Sequence, residues 1–306
     1  MQQKTIKKSI SCSGIGLHSG EKVRLALYPA EVDSGLVFVH RTEERNALIE
    51  LHPDKVNDTG LATTINENGS KISTIEHLLA AVYGLGIDNL RMEVTGNELP
   101  IMDGSASPFV FLLNSAGIIE QNKPKKVLRF KKKINFEQDG KSISVKPYEG
   151  FRIHYCIDFD HPLVGRQDYS LELDPGYFTQ DIANARTFGF LKDVEKMQQM
   201  GLARGGSLNN AVVLDDYDVV NPEGLRFKDE MVRHKILDFI GDMAVLDAPL
   251  WGDFRVCYSG HSLNNSFLRY LVQHHDDYLE PVPENEISGK KAPVEERVPE
   301  MEPALA

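Results

Sequence analysis

Cysteine is scarce and poorly placed for covalent or metal work. The three residues, Cys12, Cys156 and Cys257, are an odd number, widely spaced and without a C-x-x-C. Neither a disulfide framework nor a cysteine zinc site is expected, and the three read as buried small hydrophobes. Long apolar runs are also missing. The opening MQQKTIKKSISCSG carries lysines without the apolar core of a signal peptide, and no later stretch approaches a membrane span. Positive charge is in deficit, with 34 Lys and Arg against 45 Asp and Glu for a net charge of −11. That excludes nonspecific nucleic-acid binding while leaving room for a local basic pocket for an anionic small molecule. What remains is a cytoplasmic enzyme or binding protein for a small molecule, with no nucleic-acid partner and no integral membrane segment. At 306 residues the chain can hold two ordinary domains.

The stretch richest in chemistry is EMVRHKILDFIGD, Glu230 to Asp242. At about 100° per residue, a helix puts His234, Asp238 and Asp242 on one stripe and Ile236, Phe239, Ile240 and Met243 on the opposite arc. His and Asp four residues apart can point at one cation, which makes half a metal site. A solvated face with an i,i+4 His–Asp pair is the commoner outcome for such a stretch taken alone.

Upstream, VRLAL and GLVFVH read as strands, and the glycines of GIGLHSG read as turn glycines because G-x-G-x-x-G is not matched. His18, inside that loop, reads as structural. STIEHLLAAVYGLG, Ser73 to Gly86, is a helix in which Ser73 and Glu76 match a capping box, a wholly structural use of Glu76. Ser107 as N-cap and Pro108 as first residue open a second helix that closes near Gly117. The basic run Asn122 to Lys133 reads as a linker.

The second half repeats this grammar, strands followed by a histidine-bearing helix. Aligning His77 with His234 also aligns Gly84 with Gly241, which suggests two similar halves whose helices meet. Between them, Ala185 to Tyr217 reads as a loop, an amphipathic helix bearing Val194, Met197 and Met200, a glycine-rich turn and a strand, and such apolar stripes are mostly core. From about Asp276 the chain is Pro-rich and acidic and reads as a disordered tail or linker.

A catalytic zinc takes three protein ligands, and without a cysteine cluster the third should be His or a carboxylate. His77 is the best candidate, on the counterpart helix and next to an acid. Glu76 then offers a general base, His261 in its glycine-flanked turn a general acid, Asp242 a partner for that imidazole, and Thr187 a hydroxyl for a developing oxyanion.

Taken together, GIGLHSG, STIEHLLAA, GIDN, LPIMDGSASPFV, ARTFGF, DDY, the GLRF…VRHK…LD…IGD stretch and SGHSLNN, in this order over residues 4–275, resemble the UDP-3-O-acyl-N-acetylglucosamine deacetylases, zinc hydrolases that commit bacteria to lipid A synthesis. The resemblance implies an α+β fold of two similar halves, each a mainly antiparallel sheet with paired helices, the helices sandwiched between the sheets. The corresponding domains are 1–121, a linker 122–133, 134–275 with an acyl-passage insert near 190–213, and a tail 276–306. It implies Zn2+ on His77, His234 and Asp238, Glu76 as base, His261 as acid steadied by Asp242, Thr187 on the acetyl carbonyl, and Lys235 near the anionic part of the substrate. Leu17 and Phe188 would flank the acyl passage, and Phe159 would stack on uracil.

The expected partner is thus a UDP-linked acylated amino sugar, with the protein working as a monomer. Some bacteria fuse this deacetylase to an acyl-carrier-protein dehydratase, and the tail reads as the start of such a linker. There are departures: many relatives carry a lysine for the diphosphate where this chain has Tyr258, leaving Lys235 and Arg255 as candidates; Asn209-Asn210 stand in the passage where relatives often carry smaller or less polar residues; and the tail is longer and more acidic than the family's. The competing readings are another zinc-dependent amidohydrolase acting on a different substrate, and a non-catalytic UDP-sugar binding module.

Overall fold

The structure, a computed structural model, describes residues 1–42 and 45–288. The first half is built on a five-stranded sheet in the spatial order Ile10–Ile15, Lys22–Pro29, Leu90–Val94, Leu36–Arg41, Asn46–Glu50. All neighbours are antiparallel except Leu90–Val94 with Leu36–Arg41. Alternation sets the buried face: Val23 and Leu25 point into the core while Lys22 and Arg24 point out. The second half answers with Ile134–Gln138, Lys141–Lys146, Leu250–Cys257, Phe151–Asp158 and Arg166–Glu172, mainly antiparallel. Here Phe254 and Val256 face in and Arg255 faces out.

The helices are α1 (Glu76–Gly84), α2 (Ser107–Ala116), the single turn α3 (Pro175–Tyr177), α4 (Leu191–Gln199), α5 (Glu230–Met243), α6 (His261–Gln273), α7 (His275–Tyr278) and α8 (Glu284–Ser288). α1 packs on α5, with α2 beside α1 and α6 beside α5. α2 lies on the first sheet, and α5 and α6 lie on the second. This is the α+β architecture expected, with helices between two sheets. Every residue of α1 except Tyr83 is buried, as is every residue of α5 except Arg233 and Lys235. A helix buried all round belongs at the centre of a layered fold, and its polar residues must find partners there. The stripe of His234, Asp238 and Asp242 is therefore not a solvated face.

The two central helices touch backbone to backbone. A Cβ placed on Gly241 would stand 2.0 Å from the Glu76 carbonyl oxygen, so only glycine allows this approach.

Several local expectations change. Ser73 does not cap α1. Its hydroxyl pairs with that of Thr64, the residue before the helix is Ile75 with no side-chain cap, and the Glu76 carboxylate turns away to Thr63 N–H. α2 begins one residue earlier than expected, with Ala106 at the cap. The apolar stripe of α4 is not core: Val194 and Met197 are half-buried and Met200 is 68% exposed.

Residues 122–133 are drawn into sheets rather than left as a connector. Ile118–Pro124 pairs with Gln2–Ile6, and Leu128–Phe130 joins the second sheet, because Val127 and Phe130 are buried among the lysines. The tail from 276 is ordered over its described part. Leu279–Pro281 pairs with Leu128–Phe130, and Val282 and Ile287 pack on Val127 and Trp251, a few well-spaced apolar residues being enough. The rest of that expectation, 289–306, lies outside the described residues.

Cys156 and Cys257 face each other across neighbouring parallel strands, Cα–Cα 4.8 Å, and are joined as a disulfide, whereas no disulfide was expected. Strand register alone brings together two cysteines 101 residues apart. No helix among the described residues is long and apolar enough to cross a membrane.

Replacing Gly241 by Ala should lower stability by about 1–3 kcal/mol, the cost of forcing a methyl group into a closed contact. It would be read as a lower denaturant midpoint at constant slope, and an unchanged midpoint would mean that the two helices have slack.

Candidate active site

Two helix beginnings and one helix flank converge on a cavity of about 120 Å3. Glu76 and His77 open α1, His261 opens α6, and α5 contributes His234, Lys235 and Asp238 from its middle. Leu17, His18, Leu61, Ala62, Thr74, Thr187 and Phe188 complete the wall. A larger cavity of about 280 Å3 lies at the other ends of α1 and α5, against Tyr83, Ala244 and Asp247. The cluster of metal-binding type is confined to the smaller cavity among the described residues.

His77 Nε2 lies 3.7 Å and His234 Nε2 3.3 Å from Asp238 Oδ1, with the two imidazoles edge to face. One ligand atom from each residue falls within 4.8 Å of the others. His234 Nδ1 is 3.0 Å from the Ala185 carbonyl, which fixes the proton on Nδ1 and turns the Nε2 lone pair inward. Burial pushes His77 down to about 3 and lowers His234 as well, so both imidazoles are neutral. Burial works to raise Asp238, but the neighbouring imidazoles, the Lys235 ammonium and the His261 imidazolium together outweigh it and hold the carboxylate ionised. Asp238 Oδ1 and His77 Nδ1 are buried without a protein partner. Two neutral imidazoles and an orphaned carboxylate oxygen on buried residues fit a divalent transition metal.

The remaining groups stand around that cluster. Burial pushes Glu76 up to about 7, helped by Asp238 and Asp242 and opposed by His261. For His261 burial alone would lower the pKa, but the charge and hydrogen bond of Asp242, backed by Glu76 and Asp238, push it up to about 9. His261 Nδ1 lies 2.8 Å from Asp242 Oδ2. Lys235 Nζ donates to Asp238 Oδ2 at 2.5 Å and sits over the Phe188 ring.

Thr187 is held by its backbone, N–H to the Gly104 carbonyl and carbonyl to Val212 N–H. Behind it Arg186, 2% exposed, is clamped by Glu230, Glu223 and the Gly224 carbonyl. Phe159 packs edge-on against Phe188 and also meets Phe190. Leu17 is fixed where its carbonyl accepts Gly205 N–H. All the expected site residues except Phe159 and Asp242 line the cavity directly, and those two touch residues that do. Arg255 lies on the outward face of its sheet, so of the two candidate cations for the diphosphate only Lys235 reaches the cavity.

Sequence reasoning missed Thr63, which bonds to Glu76 and Asp242, and Asn264, which donates to Asp242 Oδ2 while its own oxygen accepts the Ser259 hydroxyl. It also missed Glu98, a buried carboxylate that gathers His18 N–H, Ser19 N–H and the Ser19 and Thr74 hydroxyls and so pins the GIGLHSG loop. His18, read as structural, lines the cavity with a buried, unpartnered Nδ1. His18 and Asn264 sit inside quoted motifs with no turn or capping role to fill, which was the available signal, whereas Thr63 and Glu98 lie in none.

A family model described as UDP-3-O-acyl N-acetylglycosamine deacetylase matches residues 3–273. Among curated proteins, one from Oleidesulfovibrio alaskensis is 57% identical over 295 residues, covering 96% of this chain and 97% of the relative. One from Nitratidesulfovibrio vulgaris is 55% identical, covering 92% and 91%, and one from Histophilus somni is 50% identical, covering 90% and 92%. All three carry the name UDP-3-O-acyl-N-acetylglucosamine deacetylase.

The purified protein is expected to hold close to one equivalent of divalent transition metal by elemental analysis. His77→Ala and Asp238→Ala should each lose it, while Thr187→Val keeps it. Retention of metal in both ligand variants would move the site elsewhere.

Proposed function

The chain belongs to the UDP-3-O-acyl N-acetylglycosamine deacetylase family, and on that premise we propose that His77, His234 and Asp238 hold zinc and that Glu76 and His261 are its base and acid. The reaction is hydrolysis of the N-acetyl group of UDP-3-O-acyl-N-acetylglucosamine to UDP-3-O-acyl-glucosamine and acetate, the committed step of lipid A synthesis. One observation carries the assignment of roles. A carboxyl pushed up to about 7 and an imidazole pushed up to about 9 stand in one cavity beside two neutral imidazoles and a carboxylate that could hold a metal ion.

A site of two imidazoles and one carboxylate without thiolate suits zinc, with iron as the nearest alternative. When bound, the metal supplies Lewis acidity, which makes water a better proton donor and an amide carbonyl a better electrophile. The Glu76 carboxylate, one oxygen fixed by Thr63 N–H at 3.0 Å, takes the proton from the attacking water. Thr187, braced through Arg186, offers its hydroxyl to the carbonyl oxygen as negative charge gathers there. As the C–N bond breaks, His261 gives the proton on Nε2 to the departing amine. Its Nδ1 stays on Asp242 throughout, and that carboxylate stabilises the imidazolium. Glu76 must lose a proton and His261 must keep one, so neither could exchange roles with the other.

The rest of the cavity would sort the substrate. Lys235 faces its anionic part, Phe159 offers an aromatic face to uracil, and the half-exposed apolar side of α4 continues from Leu17 and Phe188 as a path for the acyl chain. The two halves, 1–121 and 134–275, each supply one of the metal-bearing helices. The reaction is placed in the cytoplasm, catalysed by a monomer.

Acetate release from UDP-3-O-acyl-N-acetylglucosamine is expected to stop on chelation and return with zinc. Folded, zinc-loaded protein that releases no acetate across several acyl lengths would transfer the site to another amide. The pH dependence follows from the two groups. The kcat/KM profile should rise as Glu76 deprotonates and fall as His261 deprotonates, a bell with limbs below about 7 and 9, since a bound cation draws both toward acid. Glu76→Gln should remove the acidic limb and His261→Asn the basic one, each with a large fall in rate. Unchanged limbs in these variants would refute the assignment.

A further inference from the structure

We propose that Thr63 is a positioning residue that joins the base to the acid and fixes which nitrogen of His261 carries the proton toward the substrate. The inference rests on the deacetylase reading and adds to it a residue with no place in the mechanism above beyond one backbone contact.

Thr63 is 2% exposed, in the loop before the strand Thr64–Glu67. All of its polar groups are committed. Its N–H donates to Glu76 Oε2 at 3.0 Å, and its carbonyl accepts Ile75 N–H at the start of α1. Its hydroxyl donates to Asp242 Oδ1 at 2.5 Å and lies 3.2 Å from His261 Nδ1. One residue from the first half of the chain thus touches the base on α1, the orienting carboxylate on α5 and the acid on α6.

A hydroxyl has one proton. With that proton on Asp242 Oδ1, the Thr63 oxygen presents only lone pairs toward His261, so it can accept from Nδ1 but not donate to it. An ionised Asp242 likewise only accepts. Both neighbours of Nδ1 therefore demand a proton there, and Nε2 is left as the nitrogen that exchanges its proton at the substrate. The same bond fixes the carboxylate. Asn264 Nδ2 and His261 hold Asp242 Oδ2 while Thr63 alone among the described side chains holds Oδ1, so the carboxylate cannot turn about its axis without losing a buried bond. Valine has the shape of threonine without the hydroxyl. It would leave Oδ1 an unpaired buried acceptor, free Asp242 to rotate and take the imidazole with it.

The test compares Thr63→Val, which keeps shape and loses the hydroxyl, with Thr63→Ser, which keeps the hydroxyl and loses the methyl. Steady-state kinetics of the zinc-loaded protein should show kcat down roughly 10- to 100-fold in Thr63→Val with KM within about twofold, the loss expected when a reacting group is misplaced. Thr63→Ser should stay within about threefold of wild type. The second readout is NMR of 15N-histidine-labelled wild-type protein, in which His261 should carry protons on both nitrogens near neutral pH and keep the one on Nδ1 when the imidazolium titrates. In Thr63→Val that signal should weaken by exchange.

A purely packing role predicts the reverse order, serine worse than valine, and would overturn the proposal. So would KM rising alone, which would make Thr63 a substrate contact, or a wild-type His261 protonated only on Nε2. The last result needs no variant to fold. Absence of acetate release by the wild type would instead reject the deacetylase reading itself, leaving the NMR result to decide the role of Thr63.

Discussion

Gly241 against the Glu76 carbonyl is the contact on which the site depends. Because α1 and α5 meet there without a side chain between them, their polar residues face one another at close range. His77, His234, Asp238, Asp242 and Glu76 are each 4% exposed or less. Taking so many titratable groups out of water costs several kcal/mol for each ion left uncompensated. Hydrogen bonds offset that for Asp242, and Lys235 does so for one oxygen of Asp238. The other oxygen of Asp238 and the inward lone pairs of two imidazoles are what the protein leaves for a cation. Metal binding on this account completes the packing of the core as well as the chemistry.

The same burial drives neighbouring groups in opposite directions. His77 goes down because desolvation acts on it with other cations nearby, His261 goes up because Asp242 is in hydrogen-bond contact, and Glu76 goes up because burial and two carboxylates act together. In the proposed reading, neutral ligands, a base that ionises near neutrality and an acid that stays charged above it all arise from one dielectric environment and different first neighbours. Glu76 and His261 also stabilise each other's charged forms, so their titrations belong to the pair.

The sequence made the helices legible because their chemistry repeats at a helical period. His234, Asp238 and Asp242 fall on one stripe, and His77 with Gly84 echoes His234 with Gly241. Two histidine-bearing helices that meet follow from that pattern. What it could not show was who sits opposite whom. The Ser73–Glu76 spacing satisfies a capping box, yet tertiary contact turns Glu76 toward Thr63 and leaves Ser73 to Thr64. Cys156 and Cys257 look unrelated until strand register sets them side by side. Val127, Val282 and Ile287 are too sparse to announce a core, and they build one only because the fold gathers them with Trp251. Thr63 and Asn264 carry no local pattern at all, since their partners are 179 and 22 residues away.

The amphipathic α4 shows why an apolar stripe need not be read as core. Its turn Ala203–Gly206 docks on the GIGLHSG loop, where a Cβ on Gly205 would stand 2.2 Å from the Gly16 carbonyl oxygen, and Glu98 pins that loop from beneath. The base of the insert is therefore rigid while the helix it carries buries none of its residues. A fully buried pair of helices can hold reacting groups to a fraction of an ångström but cannot easily change shape. A helix fixed only at its root can be resurfaced without disturbing the packing beneath it. In the proposed reading the chemistry is held by α1 and α5, and the length of acyl chain accepted is set on α4. The substrate range could then drift through Val194, Met197 and Met200 while the metal cluster, the base and the acid stay where Gly241 puts them.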